Sequence, residues 1–157
     1  MKRNRIFIIA FLGAIGIFYY VWQVTSIANF KKFETTRIAI GKVELNVFIA
    51  DTFDKREQGL SGTKYLPPYS GMLFVFPQEG VYPFWMKNMN YSLDLLWINS
   101  NGEIVHVSEE VSPDTYPSQI SSPFPIRSVL EVPAGFFKKE NLKIGEKIFF
   151  YDKILFE

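Results

Sequence analysis

The stretch RIAIGKVELNVFIA, residues 37–50, decides the fold class that we expect for this chain. Apolar residues at 43, 45, 47 and 49 alternate with residues that include Glu44 and Asn46. This alternation has a period of two, which is typical of a β-strand with one buried face. Gly41 and Lys42 separate this strand from a shorter apolar run and predict a hairpin turn. The segment therefore indicates a β-domain.

Further short β-rich runs continue the pattern downstream, separated by Pro, Gly, Asn and Ser. They are GMLFVFP (71–77), YPFWMKN (82–88), LDLLWIN (93–99), EIVHVSEE (103–110), SVLEVP (128–133) and EKIFFYD (146–152). The segment DKREQGLSG, residues 54–62, has Asp54 and Glu57 in capping-box spacing and predicts a short helix. We therefore predict a mostly β (α+β) domain, a sandwich or barrel with one or two short helices. The expected core includes Leu73, Phe74, Phe76, Leu95, Val129 and Leu130.

The segment VSPDTYPSQISSPFPI, residues 111–126, is rich in proline. Proline cannot donate to the hydrogen-bond ladder of a central strand, so this segment predicts a long irregular loop.

The amino-terminal residues indicate a membrane segment. Lys2, Arg3 and Arg5 precede a run from 6 to 28 that contains no charged residue and is long enough to cross a bilayer. We predict a cytoplasmic basic segment (1–5), a signal anchor or signal peptide (6–28), a linker (29–35) and the domain (36–157). By the positive-inside rule the domain is extracytoplasmic, and cleavage near Ala28 would release it as a secreted protein.

The composition excludes several classes of function. The chain has 17 basic and 16 acidic residues, a balance that does not predict nucleic-acid binding. It has no cysteine and one histidine, so no thiolate or multi-histidine metal site is predicted. No cofactor motif is present, and we assign no cofactor and no metal.

Polar residues interrupt one of the most apolar stretches, FWMKNMNYSLDLLWI, residues 84–98. Burying Lys87, Asn88 and Asp94 without partners would be costly, so each needs a partner in the protein or in a ligand. If 82–88 and 93–99 formed a hairpin, Lys87 and Asp94 would form an ion pair beside Trp85. Arg56 or Glu131 would complete the set. We leave open whether this set is a structural staple or the lining of a ligand pocket.

Two further functions stay open as alternatives. Asp94 and Glu131 are the best pair of acids for a hydrolase that uses an acid and a base, although no nucleophile motif accompanies them. A structural or protein-interaction module that uses the proline-rich loop is the other alternative. The catalytic residues, if the chain has any, are not assigned, and the shortage of nucleophiles argues against an enzyme.

The order of motifs resembles the DUF192 family, also called UPF0127. REQGLSG, GMLFVFP, FWMKN, LDLLWI, VLEVPAG and KIGEKI follow one another between residues 37 and 151 as in that family. The matching positions are Arg56, Gly59, Leu60, Gly71, Met72, Trp85, Met86, Lys87, Asn88, Asp94, Leu130, Glu131, Gly135 and Gly145. The resemblance implies a compact β-rich fold and, often, an exported location, but no reaction.

From these patterns we predict a membrane-anchored or exported domain that acts as a small-ligand-binding or accessory module of the cell envelope. The candidate ligand-binding residues are Arg56, Trp85, Lys87, Asn88, Asp94 and Glu131. The expected partners are the membrane, through residues 6–28, and a small molecule or another envelope component.

Overall fold

The computed structural model describes residue 30 and residues 32–151. Among these residues it has seven strands: β1 (Glu34–Ile40), β2 (Val43–Ala50), β3 (Ser70–Gly80), β4 (Leu93–Ile98), β5 (Ile104–Val111), β6 (Ile126–Pro133) and β7 (Ile148–Phe150). The described residues also form two short α-helices, α1 (Phe53–Gln58) and α2 (Phe136–Lys139). The predicted β-rich class with one or two short helices is confirmed.

All seven strands belong to one sheet, in the order β5-β4-β6-β3-β2-β1-β7. The predicted hairpin is present, because β1 and β2 are antiparallel and Ile40 lies opposite Val43 across the turn. Gly41 has a φ of 58°, a left-handed conformation that glycine adopts without steric cost. The sequence therefore predicted both strands and the turn between them.

One pair of neighbouring strands, β2 and β3, is parallel. Parallel strands cannot be joined by a tight turn and need a crossover connection. Here residues 51–69 make the crossover, and α1 lies within it. Thr52 caps α1 by accepting a hydrogen bond from the Lys55 backbone N–H, at 3.3 Å. The predicted cap at Asp54 was wrong by two residues.

The sheet curls until its two edge strands meet. Ile104 at the start of β5 donates to the carbonyl of Glu146, and Ile148 in β7 donates to the carbonyl of Gly102, each at 2.9 Å. An isolated bridge pairs Glu103 with Lys147 at the same place. These bonds satisfy backbone groups that an open sheet edge would leave unpaired.

The concave face of the curled sheet encloses the main hydrophobic core, which α2 helps to close with Phe136. Leu73 and Val75 of β3 belong to this core, whereas the alternate residues Phe74 and Phe76 face the other side of the sheet. The core residues predicted from the sequence are all buried: Leu73, Phe74, Phe76, Leu95, Val129 and Leu130. The sheet is therefore covered on both faces along β3, β4 and β6.

One predicted strand is not a strand. Residues 82–88 form a loop, in which a single bridge joins Phe84 to Ile120 of the proline-rich segment. Asn88 has a φ of 56°, which turns the chain where the predicted strand would have continued. As a result β4 pairs with β5 and β6, and not with residues 82–88.

The described part of the chain contains no helix with the length and hydropathy needed to cross a membrane. The predicted anchor or signal peptide, residues 6–28, lies outside the described residues.

Candidate functional site

A cavity of about 460 Å³ lies on the convex face of the sheet. Its floor is formed by β3 and β6, and its walls are formed by residues 53–61 and by the loop at 82–89. The wall formed by residues 53–61 belongs to the crossover between β2 and β3. The volume falls within the usual range for small-molecule pockets, about 300 to 1,000 Å³.

Six aromatic residues line the cavity, and four of their rings pack against one another. Phe76 and Tyr82 are stacked, with 3.7 Å between ring centroids, and Phe84 meets Phe74 edge to face at 4.9 Å. Phe84 also contacts the buried ring of Trp97 at 5.4 Å. The aromatic residues of the lining are Phe53, Phe74, Phe76, Tyr82, Phe84 and Trp85. Such interlocked rings form a preformed apolar wall.

Glu131 of β6 places a carboxyl group in this apolar lining. The residue is only 6% exposed, and it lies opposite Met72 of β3 and Leu95 of β4. No side-chain hydrogen bond or ion pair within the described part of the chain reaches its carboxyl group, whose pKa burial raises to about 8. At pH 7 the free site therefore holds mostly a neutral carboxylic acid, because desolvation disfavours the charged form.

Two loop segments are joined by hydrogen bonds beside Glu131. The Gly62 N–H donates to the carbonyl of Asn88 at 2.9 Å, and the Ser61 hydroxyl donates to the carbonyl of Lys87 at 2.8 Å. The hydroxyl oxygens of Thr63 and Tyr91 lie 2.6 Å apart. Burial, with a smaller contribution from the negative charge of Glu131, raises the pKa of Tyr91 to about 12. These bonds hold the two walls of the cavity together.

Arg56 of α1 lies on the cavity wall with its guanidinium fixed in place. Its Nη1 donates to the carbonyl of Asp51 at 2.6 Å and to the carbonyl of Val75 at 2.8 Å. Its Cζ lies 5.3 Å from the centroid of the Phe76 ring. Arg56 therefore ties α1 to β3 and supports the aromatic wall, and it uses Nη1 for both bonds.

Gly59 ends α1 where the helix meets the floor of the cavity. Its φ is 49°, and a Cβ at this position would lie 3.0 Å from Cζ of Phe74. Glycine is therefore needed both for the backbone conformation and for the close approach to the ring. This explains the first glycine of the REQGLSG motif.

Asp94 lies on the concave face of the sheet, away from the cavity. It is opposite Val132, the neighbour of Glu131 in β6, so the two acids point to opposite faces of the sheet. Asp94 is fully buried, and its carboxylate accepts three backbone hydrogen bonds, from Glu110 at 2.8 Å, Gly135 at 3.1 Å and Phe137 at 2.9 Å. It joins β5 to the start of α2.

The predicted ion pair between Lys87 and Asp94 was wrong. Lys87 and Asn88 are exposed in the loop, and the Lys87 Nζ lies 5.8 Å from the centroid of the Trp85 ring. The ion pairs of the described residues do not include Lys87. The prediction failed because it assumed a hairpin between 82–88 and 93–99, and these segments are not paired.

The structure thus brings together half of the six predicted site residues. Arg56, Trp85 and Glu131 line one cavity, whereas Lys87 and Asn88 lie in its neighbouring loop and Asp94 lies on the other face. Leu60, Tyr82 and Met89 line the cavity and were not predicted. Leu60 belongs to the REQGLSG motif, so its place beside Arg56 was a usable signal. The sequence contained no signal that placed Tyr82 or Met89 in the cavity.

Comparison with known proteins agrees with this fold. The model of the family described as "Uncharacterized ACR", DUF192, matches residues 35–150. The chain belongs to the DUF192 family.

The solved structures that resemble this DUF192 chain include two with a TM-score of 0.71 each. One is a proposed transcription regulator from Sinorhizobium meliloti 1021, with 30% sequence identity over 75% of this chain and 95% of that one. The other is a protein of unknown function from Novosphingobium aromaticivorans DSM 12444, with 20% identity over 74% of this chain and 86% of that one. None of the curated proteins matches this chain.

Proposed function

We propose that this DUF192 domain binds a small molecule with an apolar body in the cavity above Glu131. The observation that carries the proposal is a buried carboxyl group that faces the cavity without a hydrogen-bond partner among the described residues. Burying a carboxyl group without a hydrogen bond costs free energy. Perturbed acids in apolar pockets concentrate at functional sites.

The hydrolase alternative has less support than binding. It requires two carboxyl groups on either side of one substrate bond, about 5 to 10 Å apart. Asp94 and Glu131 face opposite sides of the sheet, and all three hydrogen bonds of Asp94 go to backbone N–H groups. Asp94 therefore has a structural role, and the two acids named for the hydrolase do not face one substrate.

We also propose that the domain works outside the cytoplasm, held by residues 6–28 or released after cleavage near Ala28. The support is the uncharged run after Lys2, Arg3 and Arg5. Protease added to intact spheroplasts should digest the domain. Complete protection would contradict this location, and a mature protein that begins near residue 29 would replace the anchor by a signal peptide.

A ligand screen by thermal shift tests the binding proposal. A compound that binds the folded state raises the melting temperature. Met89→Trp places a large ring in the cavity, and Ile144→Trp adds the same ring at an exposed position outside it. Compounds that bind the cavity should stabilise the wild type and Ile144→Trp but not Met89→Trp. Equal stabilisation of all three proteins, or no stabilisation by a broad library, would contradict the proposal.

A further inference from the structure

We infer that the ligand of this cavity is a protonated amine on an apolar body, whose ammonium group pairs with the carboxylate of Glu131. The inference rests on the proposed ligand-binding function and adds the chemical class of the ligand.

Within the described part of the chain, Glu131 lacks an ion-pair partner. The four ion pairs of the described residues all lie elsewhere, and none includes Glu131. Arg56 is the cationic residue of the cavity lining, and its Nη1 is shared by two carbonyl groups. The raised pKa of Glu131 has burial as its cause, with no cation opposing it. An ammonium group on the ligand would supply the charge that the protein does not.

The walls of the cavity also favour an ammonium group. Phe74 and Phe84 line the cavity that contains Glu131, and the faces of aromatic rings carry negative potential. The other titratable groups that face the site are Glu57 and Tyr82 on the lining, and Tyr91 behind Glu131. These groups are neutral or negative, so beyond Arg56 the surroundings favour a cation. A ligand carboxylate could not form an opposite-charge pair with Glu131.

Binding of an amine changes the protonation state of Glu131. The free site holds Glu131 mostly as the acid at pH 7, because its pKa is about 8. An amine enters as the ammonium ion, Glu131 loses its proton to solvent, and a carboxylate–ammonium pair forms. Binding at pH 7 therefore releases close to one proton. A neutral ligand would bind the protonated acid and release none.

Three probes with one common body separate the ligand classes: phenethylamine, 2-phenylethanol and 3-phenylpropionate. Titration calorimetry on the full chain in nanodiscs at pH 7 should show the amine binding about tenfold or more tightly than the alcohol, since charge-assisted bonds are the stronger ones. The propionate should bind more weakly than the amine, because it cannot form an opposite-charge pair with Glu131. The heat of amine binding should differ between phosphate and Tris buffers, because the released proton is taken up by the buffer.

Two variants locate the effect. Glu131→Gln keeps the shape of the side chain but cannot ionise, so it should abolish the preference for the amine and the buffer dependence. Glu34→Gln removes an exposed glutamate from β1, outside the cavity, and should bind the amine as the wild type does.

The results separate this inference from the proposed function. Equal affinity for amine and alcohol, or a heat that does not depend on the buffer, would overturn the inference. The same holds if library compounds bind the cavity and phenethylamine does not. In those cases the binding proposal stands, because the thermal-shift comparison with Met89→Trp tests it independently. If neither the probes nor the library bind, both are overturned.

Discussion

Asp94 and Glu131 are buried acids in neighbouring strands, and their surroundings are opposite. Asp94 faces the concave side, where three backbone N–H groups donate to its carboxylate. Glu131 faces the convex side, where it has aromatic neighbours and no hydrogen-bond donor among the described residues. In the sequence both are single acids within apolar strands. The hydrogen bonds made to a buried acid, more than its burial, therefore distinguish a structural acid from an acid of a candidate site.

The largest effect is expected at the structural acid. Asp94→Ala should destabilise the fold by about 3 to 5 kcal/mol, because it leaves three buried N–H groups without an acceptor. Urea unfolding at pH 7 measures the change. Asp94→Asn keeps one acceptor oxygen and should cost less. A loss below about 1 kcal/mol for the alanine variant would remove the contrast between the two acids.

Glu131→Gln should act in the opposite direction and depend on pH. Folded Glu131 keeps its proton up to about pH 8, whereas the unfolded residue loses it near the ordinary value of 4.5. The folded state binds more protons in this window, so wild-type stability should fall as pH rises from about 4.5 to 8. At pH 9 the variant should be more stable by about 2 to 4 kcal/mol, and near pH 4.5 the two should be similar.

Unfolding curves recorded from pH 4.5 to 9 measure this difference, with the exposed Glu34→Gln as the control. If the stability of wild type and Glu131→Gln changed with pH in parallel, Glu131 would be solvated. The contrast between Asp94 and Glu131 would then be lost.

Arg56→Met tests a polar group of the cavity that already has partners. It should cost about 1 to 2 kcal/mol, because the bonds to the carbonyls of Asp51 and Val75 are lost. Arg56→Lys should recover part of this loss, since an ammonium can reach only some of the acceptors that a guanidinium does. Urea unfolding of the three proteins checks the order. A lysine variant less stable than the methionine variant would contradict it.

The smallest effect is expected at Lys87. Lys87→Met should change stability by less than about 0.5 kcal/mol, because the side chain is exposed. In a double-mutant cycle with Asp94→Leu, the coupling energy should also stay below about 0.5 kcal/mol. A larger coupling would mean that Asp94 has a charged partner after all.

The sequence predicted the fold wherever the pattern was local. The alternation at 43–49, the turn at Gly41 and the buried residues of β3, β4 and β6 all followed from periodicity and turn chemistry. The parallel pairing of β2 with β3 did not, because it depends on a crossover of residues 51–69 whose path no local pattern specifies. Residues 82–88 have the composition of a strand but form a loop. The positive φ of Asn88 and the bridge from Phe84 to Ile120 fix the loop conformation.

The candidate site was predictable only in part for the same reason. Arg56, Trp85 and Glu131 stood out as polar or aromatic residues in recurring motifs, and the structure brings them to one cavity. The face to which each acid points follows from the strand register. In that register Asp94 lies opposite Val132, and Glu131 lies opposite Leu95. Register is a long-range property, so the sequence could not separate the structural acid from the one in the cavity.

The contact between the sheet edges constrains the order of folding. β7 pairs with β1, and β5 bonds to the segment just before β7, so the first and last strands of the described residues complete the sheet together. Contacts of such long sequence separation slow folding, because a large loop must close before they form. A nascent chain cannot finish this domain until residues 148–150 have been synthesised. Closure of the sheet is therefore a late step in the formation of this domain.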